Sequence, residues 1–247
     1  ASNNTALGFQ ALLANTTGTI NTAVGGLALD ANTTGNSNTA VGYEALSANT
    51  TAANNTAVGR QCMLSNTTGT ANTAIGHEAL EANTTASNNT AVGYESLLSN
   101  TTGADNTAVG KNSLLANTEA SDNTAVGSGT LDATTTGAGN TAVGRNALTD
   151  NTTGVNNVSI GKESMLSNTT GSDNTAVGYQ ALYSNTADAN TAVGKDALEA
   201  NTSGTNNVAV GKQALKANTT GDKNVAMGRN ALYSNTTPVV TLFAASK

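Results

Sequence analysis

The stretch NTAVGYEAL, Asn38 to Leu46, returns as NTAVGYESL at Asn89 to Leu97 and as NTAVGYQAL at Asn174 to Leu182. Its opening Asn falls at Asn4, Asn21, Asn38, Asn55, Asn72, Asn89, Asn106, Asn123, Asn140, Asn157, Asn174, Asn190, Asn207 and Asn224, which makes 14 copies. Each lies 17 residues from the last, except that Asn190 follows Asn174 by 16. The consensus is N-T-A-V-G-x-x-A-L-x-A-N-T-T-G-x-x, numbered here as positions 1 to 17. So short a unit has no room for its own core, but stacked units cover one another.

Each position has its own chemistry. Position 4 is always apolar, from Leu7 through Val24 and Ile75 to Met227. Position 5 is always Gly, and position 9 is Leu or Met. Position 12 is Asn in every copy but one, where Thr134 stands. Positions 4 and 9 are therefore expected as two apolar anchors, Val on Val and Leu on Leu. The Asn amides are expected to bond to the Asn of neighbouring coils, and Asn and Gly suit the corners.

The T-A-V piece reads as a strand. Pieces such as KDALEA and HEALEA carry good helix formers and no β-branched residue, so the second half of the unit stays open between an extended segment and a helical turn. Strand spacing of ~4.8 Å against ~8–10 Å between helices favours the extended form. The predicted fold is an all-β parallel solenoid, a β-roll or β-helix of 14 coils over residues 1–237, roughly 65 Å long at ~4.8 Å per coil. The missing residue before Asn190 falls in a corner, so the ladders are expected to keep their register. Residues 238–247 lie outside the repeat. There Val239, Val240, Leu242 and Phe243 form an apolar β-prone run, expected to dock on another chain or cap the last coil.

These repeats resemble the head repeats of YadA-type trimeric autotransporter adhesins, where N-x-x-A-x-G-x-x-A units build a parallel β-roll. They are also similar to the NTAVGYQAL repeats of phage tail-fibre proteins. The resemblance covers Asn4 to about Thr237. It implies a homotrimeric fibre, extracellular, on a cell surface or virion-borne. An end-to-end filament is the other form of self-association expected.

Composition limits the alternatives. The net charge of −6 makes nucleic acid a poor partner. A single Cys excludes an internal disulfide framework and a Cys-rich metal site. No apolar run reaches the ~18 residues of a membrane span, so no membrane insertion is expected. No signal peptide is visible at Ala1, so a mature form or a fragment is expected.

No cofactor, metal or catalytic constellation is read. His77, the only His, is expected as an exposed filler, and Cys62 as a small buried thiol. Asp105, Asp122 and Asp173 recur before the opening Asn but lack the calcium-roll signature. Glu78, Glu81 and Glu95 are the carboxylates a polysaccharide-cleaving fibre would use, and nothing sets them apart from surface charge. Asn-x-Thr triplets at Asn15, Asn32, Asn49, Asn66 and Asn168 match glycosylation acceptors, but inward ladder positions are favoured. An ice-binding solenoid is suggested by the Thr pairs at positions 13 and 14, although a T-x-T strand pattern is missing.

The remaining surface feature is position 6. It gathers Phe9, Tyr43, Tyr94 and Tyr179 with Arg60, Lys111, Arg145, Lys162, Lys195, Lys212 and Arg229, so that seven of the ten basic residues share one position. This stripe is the expected contact surface for a glycan, with a solvated face as the plainer reading. The functional expectation is a structural or adhesive fibre segment without enzymatic activity.

Overall fold

The computed structural model describes residues 1–236. It divides into two compact units, Ala1–Asp122 and Asn123–Lys247. The apolar run Val239, Val240, Leu242 and Phe243 lies outside the described residues. The fold is a parallel β-solenoid with one three-residue strand per unit of the repeat. In the first unit these strands are β1 (Thr5–Leu7), β2 (Thr22–Val24), β3 (Thr39–Val41), β4 (Thr56–Val58), β5 (Thr73–Ile75), β6 (Thr90–Val92) and β7 (Thr107–Val109). In the second they are β8 (Thr124–Val126), β9 (Thr141–Val143), β10 (Val158–Ile160), β11 (Thr175–Val177), β12 (Thr191–Val193), β13 (Val208–Val210) and β14 (Val225–Met227). Within each unit every strand pairs in parallel with its sequence neighbours, Ala facing Ala as in Ala40↔Ala57 and Ala176↔Ala192.

The second half of the coil is neither a second strand nor a helix. Among the described residues it is a run of turns in which positions 7 and 9 take positive φ. Gln180 has φ 53° and Leu182 φ 53°. This twist sends alternate amides to opposite neighbours. The Gln180 N–H donates to Lys162 O of the preceding coil (3.2 Å), and the Leu182 N–H to Ala197 O of the next (3.0 Å). Left-handed backbone costs an L-residue about 1–2 kcal/mol. Full burial of a Leu contributes about 1.5–3 kcal/mol, and the coil-to-coil hydrogen bonds add to it. Both gains depend on the neighbouring coil, so tertiary stacking overrides the local helix preference.

The position-9 row is the core: Leu29, Leu46, Met63, Leu80, Leu182, Leu198 and their equivalents from Leu29 to Leu215 are fully buried. The position-4 row is not, which corrects the expected second anchor. In a strand successive side chains face opposite ways. Here the small Ala at position 3 points in and is fully buried from Ala23 to Ala226, while positions 2 and 4 point outward. Ile75 is 42% exposed and Met227 47%. The interior is narrow at the strand, and its inward place is taken by Ala or, in one coil, by Ser159.

Two Asn residues per coil tie the corner. Asn21 Nδ2 donates to Gly35 O (2.8 Å) and Asn32 Nδ2 to the same carbonyl (3.1 Å). Their Oδ1 atoms accept from the next coil, from the Asn38 N–H (2.9 Å) and from Asn49 Nδ2 (2.9 Å). Each amide thus donates to a carbonyl of its own coil and accepts from the next coil, and the position-12 amide also donates to the coil before it. The Asn residues of the glycosylation-like triplets at Asn32, Asn49, Asn66 and Asn168 are fully buried in this arrangement. Gly178 allows the coils to approach. It sits at φ 137°, and a Cβ there would lie 2.6 Å from Gly194 O, so any side chain would force the coils apart.

Candidate functional site

Position 6 follows the Gly bend, and its side chains stand exposed on every coil that carries a Tyr, Arg or Lys there. In the first unit Phe9 is 75% exposed, and Tyr43 leans over Gly26, where an added Cβ would lie 3.5 Å from Tyr43 Cδ2. The middle of this run is tied up internally. Arg60 Nη1 lies 2.9 Å from His77 Nε2 and 3.6 Å from Glu78 Oε1. The His77 ring stacks on Tyr94 at 5.4 Å with planes 11° apart. Lys111 Nζ sits 5.6 Å from the centre of the same Tyr94 ring. His77 is therefore a member of the stripe and not an isolated filler.

In the second unit Lys162 Nζ and Lys195 Nζ lie over the Tyr179 ring at 5.5 and 5.4 Å. Lys162 also reaches Glu163 (3.3 Å), and Lys195 reaches Asp196 (3.9 Å). Arg145, Lys212 and Arg229 have no carboxylate within ion-pair distance among the described residues. The stripe thus brings together Phe9, Tyr43, Arg60, Tyr94 and Lys111 in the first unit, and Arg145, Tyr179 and Lys195 in the second.

Sequence reading missed the row beside it. Position 7 carries an acid or amide in twelve of the 14 copies, and it supplies the partners of the stripe. Gln61 Nε2 donates to Glu44 Oε2 (2.9 Å) and Gln180 Nε2 to Glu163 Oε2 (3.0 Å). The bias of position 7 toward acids and amides was the available signal. A hydrogen bond with the Glu44 carboxylate, and then its charge, holds the Tyr43 hydroxyl above its usual range, and Glu95 does the same to Tyr94. Burial pushes the Glu163 carboxyl up, but hydrogen bonds from Gln180 and Lys162 outweigh it and leave it below the usual range.

The other candidates are placed as follows. Glu78 is bound to Arg60 and lies 3.6 Å from His77. Glu81 is raised, by burial first and by the Glu78 charge second. Asp105, Asp122 and Asp173 are exposed at corners with positive φ. No group of three or more His, Cys, Asp or Glu is placed to hold a metal ion among the described residues. Among them no helix is long and apolar enough to cross a membrane. Cys62 is free and buried, its Sγ–H donating to Ala74 O (3.1 Å). No protein-family model matches the chain, and no curated protein matches it.

Proposed function

We propose that the chain is a structural and adhesive segment of an extracellular, cell-surface or virion-borne fibre, without catalytic activity of its own. The observation that carries this reading is the Asn clamp. The polar side chains of the interior are committed, coil after coil, to bonding one coil to the next. Such an interior serves length and rigidity. Self-association is supported by the outward row at position 4, where Leu7, Val24, Val41, Val58 and Ile75 lie in register in the first unit. Apolar rows of this kind mark interaction surfaces, and identical copies of the chain offer a matching one as homotrimer or filament. Position 6 is left as the adhesive surface.

Sedimentation velocity over a range of concentrations tests the association. Oligomers are expected for the wild-type chain, and monomers for Val41→Asp combined with Val58→Asp. A wild-type chain that stays monomeric at every concentration contradicts the reading.

One observation favours a second reading. Thr at position 2 and the apolar residue at position 4 share the outward face of each strand, so a row of hydroxyls runs beside a row of methyl groups. Regular rows of this kind suit ordered water, as on an ice-binding surface. Thermal hysteresis in a freezing assay would support it, and ordinary freezing would remove it.

A further inference from the structure

The geometry points to the position-6 run of the second unit as a binding site for a linear acidic polysaccharide laid along the solenoid axis. This rests on the adhesive half of the reading above and gives it a ligand class. The chain carries a net charge of −6, yet five of the seven position-6 residues of this unit are cations: Arg145, Lys162, Lys195, Lys212 and Arg229. They are exposed, one per coil, at a step of ~4.8 Å, comparable with one sugar of a chain. The sixth member of the run, Tyr179, lies between Lys162 and Lys195 and holds an ammonium group on each side. The spacing of these two cations is therefore set before any ligand arrives, which lowers the ordering cost of binding.

The first unit differs in both respects. Its position-6 cations are Arg60 and Lys111, and Arg60 is bound to His77 and Glu78 while Lys111 covers Tyr94. Arg145, Lys212 and Arg229 have no such partner among the described residues. Three cations without a carboxylate partner, in one row with the two held on Tyr179, call for a line of anions. Polysaccharide fits better than nucleic acid because the Glu163 carboxylate, beside Lys162, accepts hydrogen bonds from sugar hydroxyls, which a polysaccharide offers on every residue and a DNA strand does not.

Retention of the full chain on immobilised heparin, with neutral dextran and a single-stranded oligonucleotide as the other arms, tests the site. The wild type is expected to bind heparin, to release with rising salt, to ignore dextran and to bind the oligonucleotide more weakly. Arg145→Gln with Lys212→Gln and Arg229→Gln is expected to weaken heparin binding roughly tenfold, the size of losing three exposed ion pairs, with unchanged far-UV circular dichroism. Lys111→Gln is expected to leave it within about twofold. No retention on heparin, unchanged retention of the triple variant, or oligonucleotide binding as tight as heparin binding would each overturn the proposal. A monomeric chain that still binds heparin would contradict the fibre and leave this site standing.

Discussion

Ala176 faces Ala192 in the parallel ladder although only 16 residues separate them. The missing residue is taken from the corner. Ala187 supplies the carbonyl that Gly or Ala supplies in the other coils and accepts from Asn174 Nδ2 (2.8 Å) and Asn185 Nδ2 (2.7 Å). Asp188 still caps the Ser172 N–H (2.8 Å). The residue lost is the second Thr of the corner. The tightened corner breaks the Asn ladder, because Asn168 Oδ1 is buried without a hydrogen-bond partner. A buried unsatisfied acceptor costs about 1–3 kcal/mol. Inserting a Thr after Thr186 is expected to raise stability by about 1 kcal/mol, read as a higher urea midpoint. A lower midpoint would show that the short corner is the better fit.

The inward Ala and the outward apolar residue make opposite demands. Ala142→Val places two extra methyl groups in a filled interior and is expected to cost about 1–3 kcal/mol. Val143→Thr changes a partly exposed side chain and is expected to stay within about 0.5 kcal/mol. Chemical denaturation of both variants settles the orientation, and a larger loss for Val143→Thr would reverse it.

Asn83 donates to Asn66 Oδ1 (2.7 Å) and to Ala86 O (3.1 Å), and it accepts from Asn100 Nδ2 (3.1 Å). Asn83→Ala strands the Asn66 acceptor and is expected to destabilise by about 1–3 kcal/mol. Asn83→Thr is expected to cost less, because Thr134 occupies the equivalent place and accepts from Asn151 Nδ2 at 3.5 Å. Equal losses for the two variants would mean that the hydrogen bond contributes little beyond packing.

Burial pushes the Cys62 thiol up to about 12, and the residue is fully buried. Thiolate is the reactive form, so iodoacetamide at pH 8 is expected to leave the folded chain unlabelled and to label it fully in denaturant. Rapid labelling of the folded chain would contradict the placement of position 8 in the interior.

Asp222 accepts from the Thr205 N–H (2.7 Å) and Oγ1–H (3.1 Å). The backbone hydrogen bond, and then the hydroxyl, hold its carboxyl below the usual range. A depressed folded value means the stabilisation is present above the ordinary Asp value of about 3.9 and is lost as pH falls through the folded value. The advantage of wild type over Asp222→Ala in urea midpoint is expected at pH 7 and to shrink well below pH ~3.9. Asp222→Asn keeps the acceptor and is expected to remove this pH dependence. An advantage that grows in acid would give the wrong sign.

The period made the solenoid legible, since 17 residues of Asn, Gly and one Leu can only be buried by stacking. The Leu row and the buried Asn residues followed from it. Position 4 misled because its constant apolar character looked like a core signal. Alternation on a three-residue strand lets one side chain in, and that one is Ala40 rather than Val41. The turn run was hidden because Leu182 and Gln180 are residue types that rarely adopt positive φ, and only the neighbouring coils stabilise it there. The stripe at position 6 was visible as chemistry. Its division into a self-paired run around His77 and a run left open at Arg145 and Lys212 depends on which side chains reach each other, and residue identities alone do not carry that.

X-ray diffraction from oriented specimens of the purified chain tests the central claim, a fibre whose axis is the stacking direction of the coils. A strong meridional reflection at ~4.8 Å is expected, the spacing of hydrogen-bonded strands. Specimens that cannot be oriented, or that diffract at ~5.4 Å as stacked helical turns would, contradict it.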